Sequence, residues 1–200
     1  MTLYYAGIGS RETPDEILDS MQQFAEYALD ASLWLRSGGA PGADTAFEDG
    51  CGESHHKEIF LPFKRFNNHS SPLYSPARRA FDVARTIHPH FNRMRFCVQK
   101  LIASNMHQVL GQTLDSPVEF VIFWTPDGCE SRATYKPKLT GGTGSAIALA
   151  SMLDIPIFNL ALPYRLEAAY EHVDSLLATQ REEVQNAFLY SRSNRIADIN

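Results

Sequence analysis

The 200-residue sequence has little of what marks several large protein classes. It carries three cysteines, Cys51, Cys97 and Cys129, widely spaced and odd in number. No pair forms the Cys-x-x-Cys unit of a metal or redox site, so reduced thiols in a cytoplasmic protein are expected. No apolar run approaches the roughly 20 residues of a membrane span. The N-terminus has no basic stretch leading into a long apolar one, which argues against a secretory signal. No repeat of fixed period is present. Lys and Arg total 18 against 23 Asp and Glu, a net charge of -5. That excludes a broadly basic surface of the kind dedicated nucleic-acid binders carry.

What is present is an ordinary globular composition, 44% hydrophobic and 20% charged. At this length a single domain over residues 1–200 is expected. Short apolar runs alternate with helical patterns. Strands are predicted at Thr2–Ile8, Ser32–Leu35, Lys57–Leu61, Val118–Trp124 and Pro156–Leu160. The run Val118–Trp124 is nearly continuous and apolar, as a central parallel strand covered on both faces would be. Ile17, Leu18, Met21, Phe24, Ala25 and Ala28 recur at helical spacing in Pro14–Ala31, with Thr13 as the expected N-cap. Further helices are predicted at about Ala43–Cys51, Ala77–Thr86, Arg93–Leu110, Ser145–Leu153 and Glu167–Leu189. The last carries Leu166, Tyr170, Val173, Leu176, Leu177, Val184 and Phe188 along it or just before it and is expected to pack on the sheet or extend into a dimer contact. The tail Ser191–Asn200 reads as frayed.

Alternating strands and helices predict an α/β fold with a mainly parallel sheet and helices on both faces. Right-handed crossovers place all strand C-termini on one edge, where ligands bind in such sheets. Three glycine-rich turns fall at that edge. The first is Gly7-Ile8-Gly9-Ser10-Arg11, the second runs from Ser37, Gly38 and Gly39 through Gly42 and Ala43 to Asp44, and the third is Thr140-Gly141-Gly142-Thr143-Gly144-Ser145. Glycine lets a backbone come close to a ligand. The second and third turns open helices, whose N-termini favour anions. Hydroxyls at Ser10, Thr140, Thr143 and Ser145 add donors, and Arg11 offers a bidentate grip on phosphate. No run ends in Gly-Lys-Ser/Thr, which excludes a P-loop, and Glu12 stands where a dinucleotide fingerprint needs its third glycine.

These residues resemble the SMF/DprA–LOG (SLOG) superfamily, in particular small stand-alone members from phages and bacteria. The resemblance rests on Gly-x-Gly-Ser-Arg, Ser-Gly-Gly-Ala-x-Gly-Ala-Asp and the later Gly-Gly-Thr-Gly, and covers about Leu3 to Leu160. It implies a Rossmann-like, doubly wound domain that holds a nucleotide or a nucleotide-derived molecule. One branch hydrolyses an N-glycosidic bond with Pro-Gly-Gly-x-Gly-Thr-x-x-Glu; here the proline is Thr140 and the glutamate is Ala148. The phosphate cradle is retained and the acid is not. Another branch binds single-stranded DNA in recombination.

Other candidates cluster around the turns. Asp44 is expected to orient a ribose hydroxyl or a loop amide, and Glu48 lies one turn later. Arg93 and Asn105 resemble positions near the ligand in small members of the superfamily, and Trp124 is placed to stack on a base or to pack against the sheet edge. The polar stretch Thr125–Leu139 reads as a lid. The histidine pairs His55-His56 and His88-Pro89-His90 lack partners at metal-ligand spacing, so no metal and no cofactor are expected. Charge is unevenly spread. Between Lys57 and Lys100 nine basic residues face two acids, a segment of +7 within a remainder of -12, and aromatics such as Phe63, Tyr74 and Phe96 are interleaved with it. This basic stretch belongs to an insertion at about residues 62–111.

The expected ligand is therefore a small phosphorylated nucleotide, a nucleoside monophosphate or an ADP-ribose-like molecule. The alternatives are a nucleotide hydrolase using Asp44 or Glu48 with Arg93, and a single-stranded DNA binder using the basic insertion. No membrane partner is expected, and homo-oligomerisation is.

Overall fold

A computed structural model describes residues 2–197, with side chains for residues 2–187. The chain divides into two compact units, Met1–Leu166 and Glu167–Asn200. The first is built on five parallel strands: β1 (Tyr4–Gly7), β2 (Trp34–Ser37), β3 (Lys57–Ile59), β4 (Phe120–Phe123) and β5 (Ile157–Asn159), in the order β3-β2-β1-β4-β5. Strand order reverses between β1 and β4. The sheet is Rossmann-like, and its switch point lies beside the first glycine turn.

The two faces follow from alternation along each strand. Tyr5 on β1 and Phe120 on β4 point to one side, where their rings stack 5.5 Å apart and meet Phe24 edge-on. Phe24 comes from α1 (Asp15–Asp30), and Phe47, 6.4 Å from Tyr5, from α2 (Ala43–Gly50). Ala6, Ile8, Val121 and Phe123 belong to the opposite core. That core is filled by α3 (Arg78–Ile87), α4 (Phe96–Leu110) and α5 (Gly144–Met152). From Gly144 to Ala150 every residue of α5 is buried, as a helix with apolar residues all round requires.

The segment expected as an insertion spans residues 62–111. It connects β3 to β4 and ends in α4, which buries Ile102, Ala103, Met106 and Val109. It is therefore also the crossover that closes one face. His107 ties this crossover together: its Nδ1–H donates to the Gly111 carbonyl at 2.9 Å, and its Nε2 accepts the Ala77 N–H at 3.1 Å. Burial pushes its pKa down, consistent with the neutral ring this arrangement needs.

Several local expectations are corrected. The N-cap of α1 is Pro14; Thr13 instead donates its hydroxyl to the Ser10 carbonyl at 2.8 Å, closing the first turn rather than the helix. Arg93 precedes α4, in the short 3-10 turn Phe91–Arg93. Arg36, given no role above, is 3% exposed in β2 and donates to Glu58 at 2.7 Å, with its guanidinium 3.8 Å from the Tyr4 ring centre.

The helix α6 (Arg165–Ala197) starts at the end of the first unit and runs through the second, longer than expected at both ends. The Phe188 side chain and residues 198–200 of the tail lie outside the described residues. Among the described residues no helix is long and apolar enough to cross a membrane.

Candidate nucleotide-binding cleft

A cavity of about 650 Å³ opens at the C-terminal edge of the sheet, within the range of small-molecule sites. It is lined from all three glycine turns. Gly9, Ser10 and Arg11 come from the first, Gly38 and Asp44 from the second, and Thr140 to Thr143 from the third. One face of α4 supplies the opposite wall through Val98, Leu101, Asn105 and Gln108, spaced as one helical stripe.

The three turns use glycine differently. A Cβ on Gly7 would stand 2.6 Å from the Phe47 ring, and one on Gly9 2.6 Å from the Ala43 Cβ. Gly42, at φ +86°, would strike the Ser10 carbonyl at 2.7 Å. The Ala43 N–H donates to that same carbonyl at 3.3 Å, and the Ser10 N–H to the Trp124 carbonyl at 3.3 Å. The first two turns are thus keyed into each other and into the end of β4. The third differs. A Cβ on Gly141 or Gly142 would meet nothing within 4 Å, and both residues are exposed on the cavity wall. Only Gly141 needs glycine for its backbone, at φ +73°. The bareness of Gly142 has no structural reason in the fold.

Asp44 lies at the floor, 6% exposed. Its Oδ2 accepts the Ala40 N–H at 3.2 Å, and the Gly9 and Gly38 amides also favour its charge, as does Arg11. Burial outweighs them and raises its pKa to about 7. Gly38 leaves room for Asp44 and the Gln108 amide to approach, since a Cβ there would stand 2.8 Å from the carboxylate and 2.3 Å from the Gln108 nitrogen. The floor is therefore a carboxyl group that titrates near neutrality, beside the Arg11 cation on the rim. Lys138 adds a second cation, from the stretch expected as a lid.

Several hydroxyls expected to meet phosphate are engaged by the protein. Thr140 donates to Asp127 at 2.7 Å and accepts the Lys136 N–H at 3.0 Å. Ser145 donates to the Gly142 carbonyl at 3.0 Å; Ser37, expected to line the cleft, likewise donates to the Gly7 carbonyl at 2.7 Å. Asn105 lines the cavity and also holds the third turn, donating to the Gly142 carbonyl at 2.8 Å and Ser145 Oγ at 3.2 Å. Ser10 Oγ accepts the Glu12 N–H at 3.1 Å. Gly144 makes room for the Tyr135 ring, 2.2 Å from where its Cβ would be, so the 125–143 stretch is seated on the start of α5.

Gly7, Ser37, Gly39, Gly42, Ala43, Trp124, Gly144 and Ser145 stand behind the cavity wall rather than on it, and Arg93 lines a neighbouring cavity. Glu48 also lies off the wall, bound by His69 Nε2 at 2.8 Å with the Lys57 ammonium at 3.6 Å. Sequence reasoning missed Gln108, His88, Tyr135 and Lys138 on the wall. Gln108 had a signal: it shares a helical stripe with Asn105 inside an otherwise apolar pattern. Among the described residues no three His, Cys, Asp or Glu side chains gather as a metal cage.

No family model and no curated protein matches the chain. Among solved structures it is similar to DNA processing protein A from Helicobacter pylori, described for its single-stranded DNA binding mode. The TM-score is 0.51 at 14% identity, over 90% of this chain and 81% of that one. The likeness is one of fold. It is the DprA-like, Rossmann-like sheet that the glycine turns pointed to.

Proposed function

We propose that this protein binds single-stranded DNA, with one nucleotide unit held in the glycine-lined cleft. The observation that carries the reading is the open wall at Gly141 and Gly142, where backbone borders the cavity and a Cβ would meet nothing within 4 Å. It adjoins the N-terminus of α5, which favours phosphate. Arg11 and Lys138 supply cations from two sides.

The fold neighbour supports a strand over a free nucleotide as ligand. So does the basic stretch. Lys64, Arg65, Arg78, Arg79, Arg85, Arg93 and Arg95 are all exposed. Of its aromatics, Phe60 and Phe91 are buried, while Phe63, Tyr74 and Phe96 are 40%, 41% and 64% exposed. Exposed rings among cations are what single strands stack on and track along.

Fluorescence anisotropy with labelled oligothymidylate tests this. Binding is expected at low salt, weakening with a slope of about -0.7 per phosphate contacted on a logarithmic plot. Absence of binding at low salt refutes it. A second reading, a free nucleoside monophosphate, is favoured by the cavity volume of about 650 Å³. It predicts that thymidine monophosphate binds as tightly as the oligonucleotide.

A further inference from the structure

A second cavity, of about 330 Å³, adjoins the cleft and shares His88 with its wall. It is formed by the α3–α4 connection and lined by Arg85, His88, His90, Phe91, Asn92 and Arg93. Among the described residues neither Asp nor Glu lines it. His88 lines both cavities and is the wall between them.

The cavity is held in shape. His88 Nδ1 accepts the His90 N–H at 3.2 Å, and the His88 ring stands edge-on to Tyr135, with centres 6.0 Å apart. The Gln99 amide donates to the Phe91 carbonyl at 2.9 Å and to the Met94 carbonyl at 3.3 Å, fastening the Phe91–Arg93 turn onto α4. Arg85 is oriented by Asn92 Oδ1 at 3.0 Å and by Asp82 at 2.7 Å, which offsets part of its charge. Arg93 is exposed at the end of the turn and forms no ion pair among the described residues. The result is a fixed, cation-lined hollow beside a nucleotide-sized cleft.

We infer that this hollow is a phosphate subsite for the neighbouring nucleotide of a bound single strand, with Arg93 as its principal cation. The inference rests on the proposed strand binding at the cleft and adds the path: from the third glycine turn, past His88, to Arg93. A strand on this path has one phosphate at the α5 N-terminus and another against the guanidinium of Arg93. A mononucleotide reaches only the first.

The test compares wild type with Arg93→Glu, a change at an exposed position outside the cleft wall. Both are titrated with labelled oligothymidylate by anisotropy and with thymidine monophosphate by calorimetry. Charge reversal should weaken oligonucleotide binding on the order of tenfold and flatten its salt slope by about 0.7, with mononucleotide affinity unchanged. Equal oligonucleotide affinity and slope in the two proteins overturns the subsite while leaving the cleft reading intact. Equal weakening of both ligands also overturns it, because Arg93 would then act on the cleft. If wild type binds no oligonucleotide, both readings fall together.

Discussion

Asp44 makes the fold itself sensitive to pH in a direction opposite to most carboxylates. In the unfolded chain its carboxyl titrates near 3.8; in the folded cleft burial raises it to about 7. Between those values the folded protein holds a proton that the unfolded chain has released. Stability from this group is therefore fully present below the unfolded pKa and is lost as pH rises through the folded one. The separation is about three pH units, and each is worth about 1.4 kcal/mol, so the full effect is about 4 kcal/mol. Asp44→Asn removes the titration and keeps the shape. His107 and His88, whose pKa values burial lowers, act with the opposite sign and destabilise as pH falls. Wild type alone would mix the two. The difference between wild type and Asp44→Asn cancels the histidines. Urea unfolding from about pH 4.5 to about pH 8 should show that difference fall by about 3 kcal/mol in favour of the variant as pH rises. A difference flat with pH would refute the burial argument. One that grows with pH would mean the backbone amides and Arg11 dominate after all.

Other outcomes follow from the same geometry. Gly142→Ala places a methyl into the open cleft and should leave the melting temperature unchanged while abolishing oligonucleotide binding in anisotropy. Gly7→Ala drives a methyl into the Phe47 ring and should cost about 1–3 kcal/mol in urea unfolding. Glu58→Ala strands the buried Arg36 guanidinium, leaving it the Ser116 carbonyl and the Tyr4 ring among the described residues, and should destabilise by about 3 kcal/mol in the same assay. His107→Leu removes the bond that ties the start of α3 to α4, along with the one to the Gly111 carbonyl at the end of α4, and should raise amide exchange in residues 77–87 before the sheet is affected.

The sequence carried the strand–helix alternation and the placement of the three turns, because period and glycine position are local signals. Crossover rules put the strand C-termini on one edge, while the strand order and its reversal between β1 and β4 were carried by no residue. What each glycine is for was not readable. Gly7, Gly9 and Gly42 accommodate Phe47, Ala43 and Ser10, neighbours brought close only by the folded sheet. The same holds for Thr140, whose hydroxyl looked free for phosphate until Asp127 and Lys136 closed on it. The split of the basic stretch into packed rings and exposed ones also depends on tertiary burial. Phe91 and Phe96 are five residues apart and indistinguishable in composition, yet they are 2% and 64% exposed.

The keyed pair of turns has a further consequence for how this cleft can change. Ser10, Gly42, Ala43 and Trp124 share one set of backbone bonds and one set of van der Waals clearances, so none can drift without moving the others. They form a fixed anvil. The 125–143 stretch is instead seated through side chains, by Tyr135 over Gly144 and by the Asn159 amide donating to Thr125 Oγ1 and the Cys129 carbonyl, and leaves Gly141 and Gly142 uncrowded. Under the proposed function, ligand preference is rewritten there by grafting or randomising a single continuous stretch, with the sheet and the first two turns serving as an unchanged chassis.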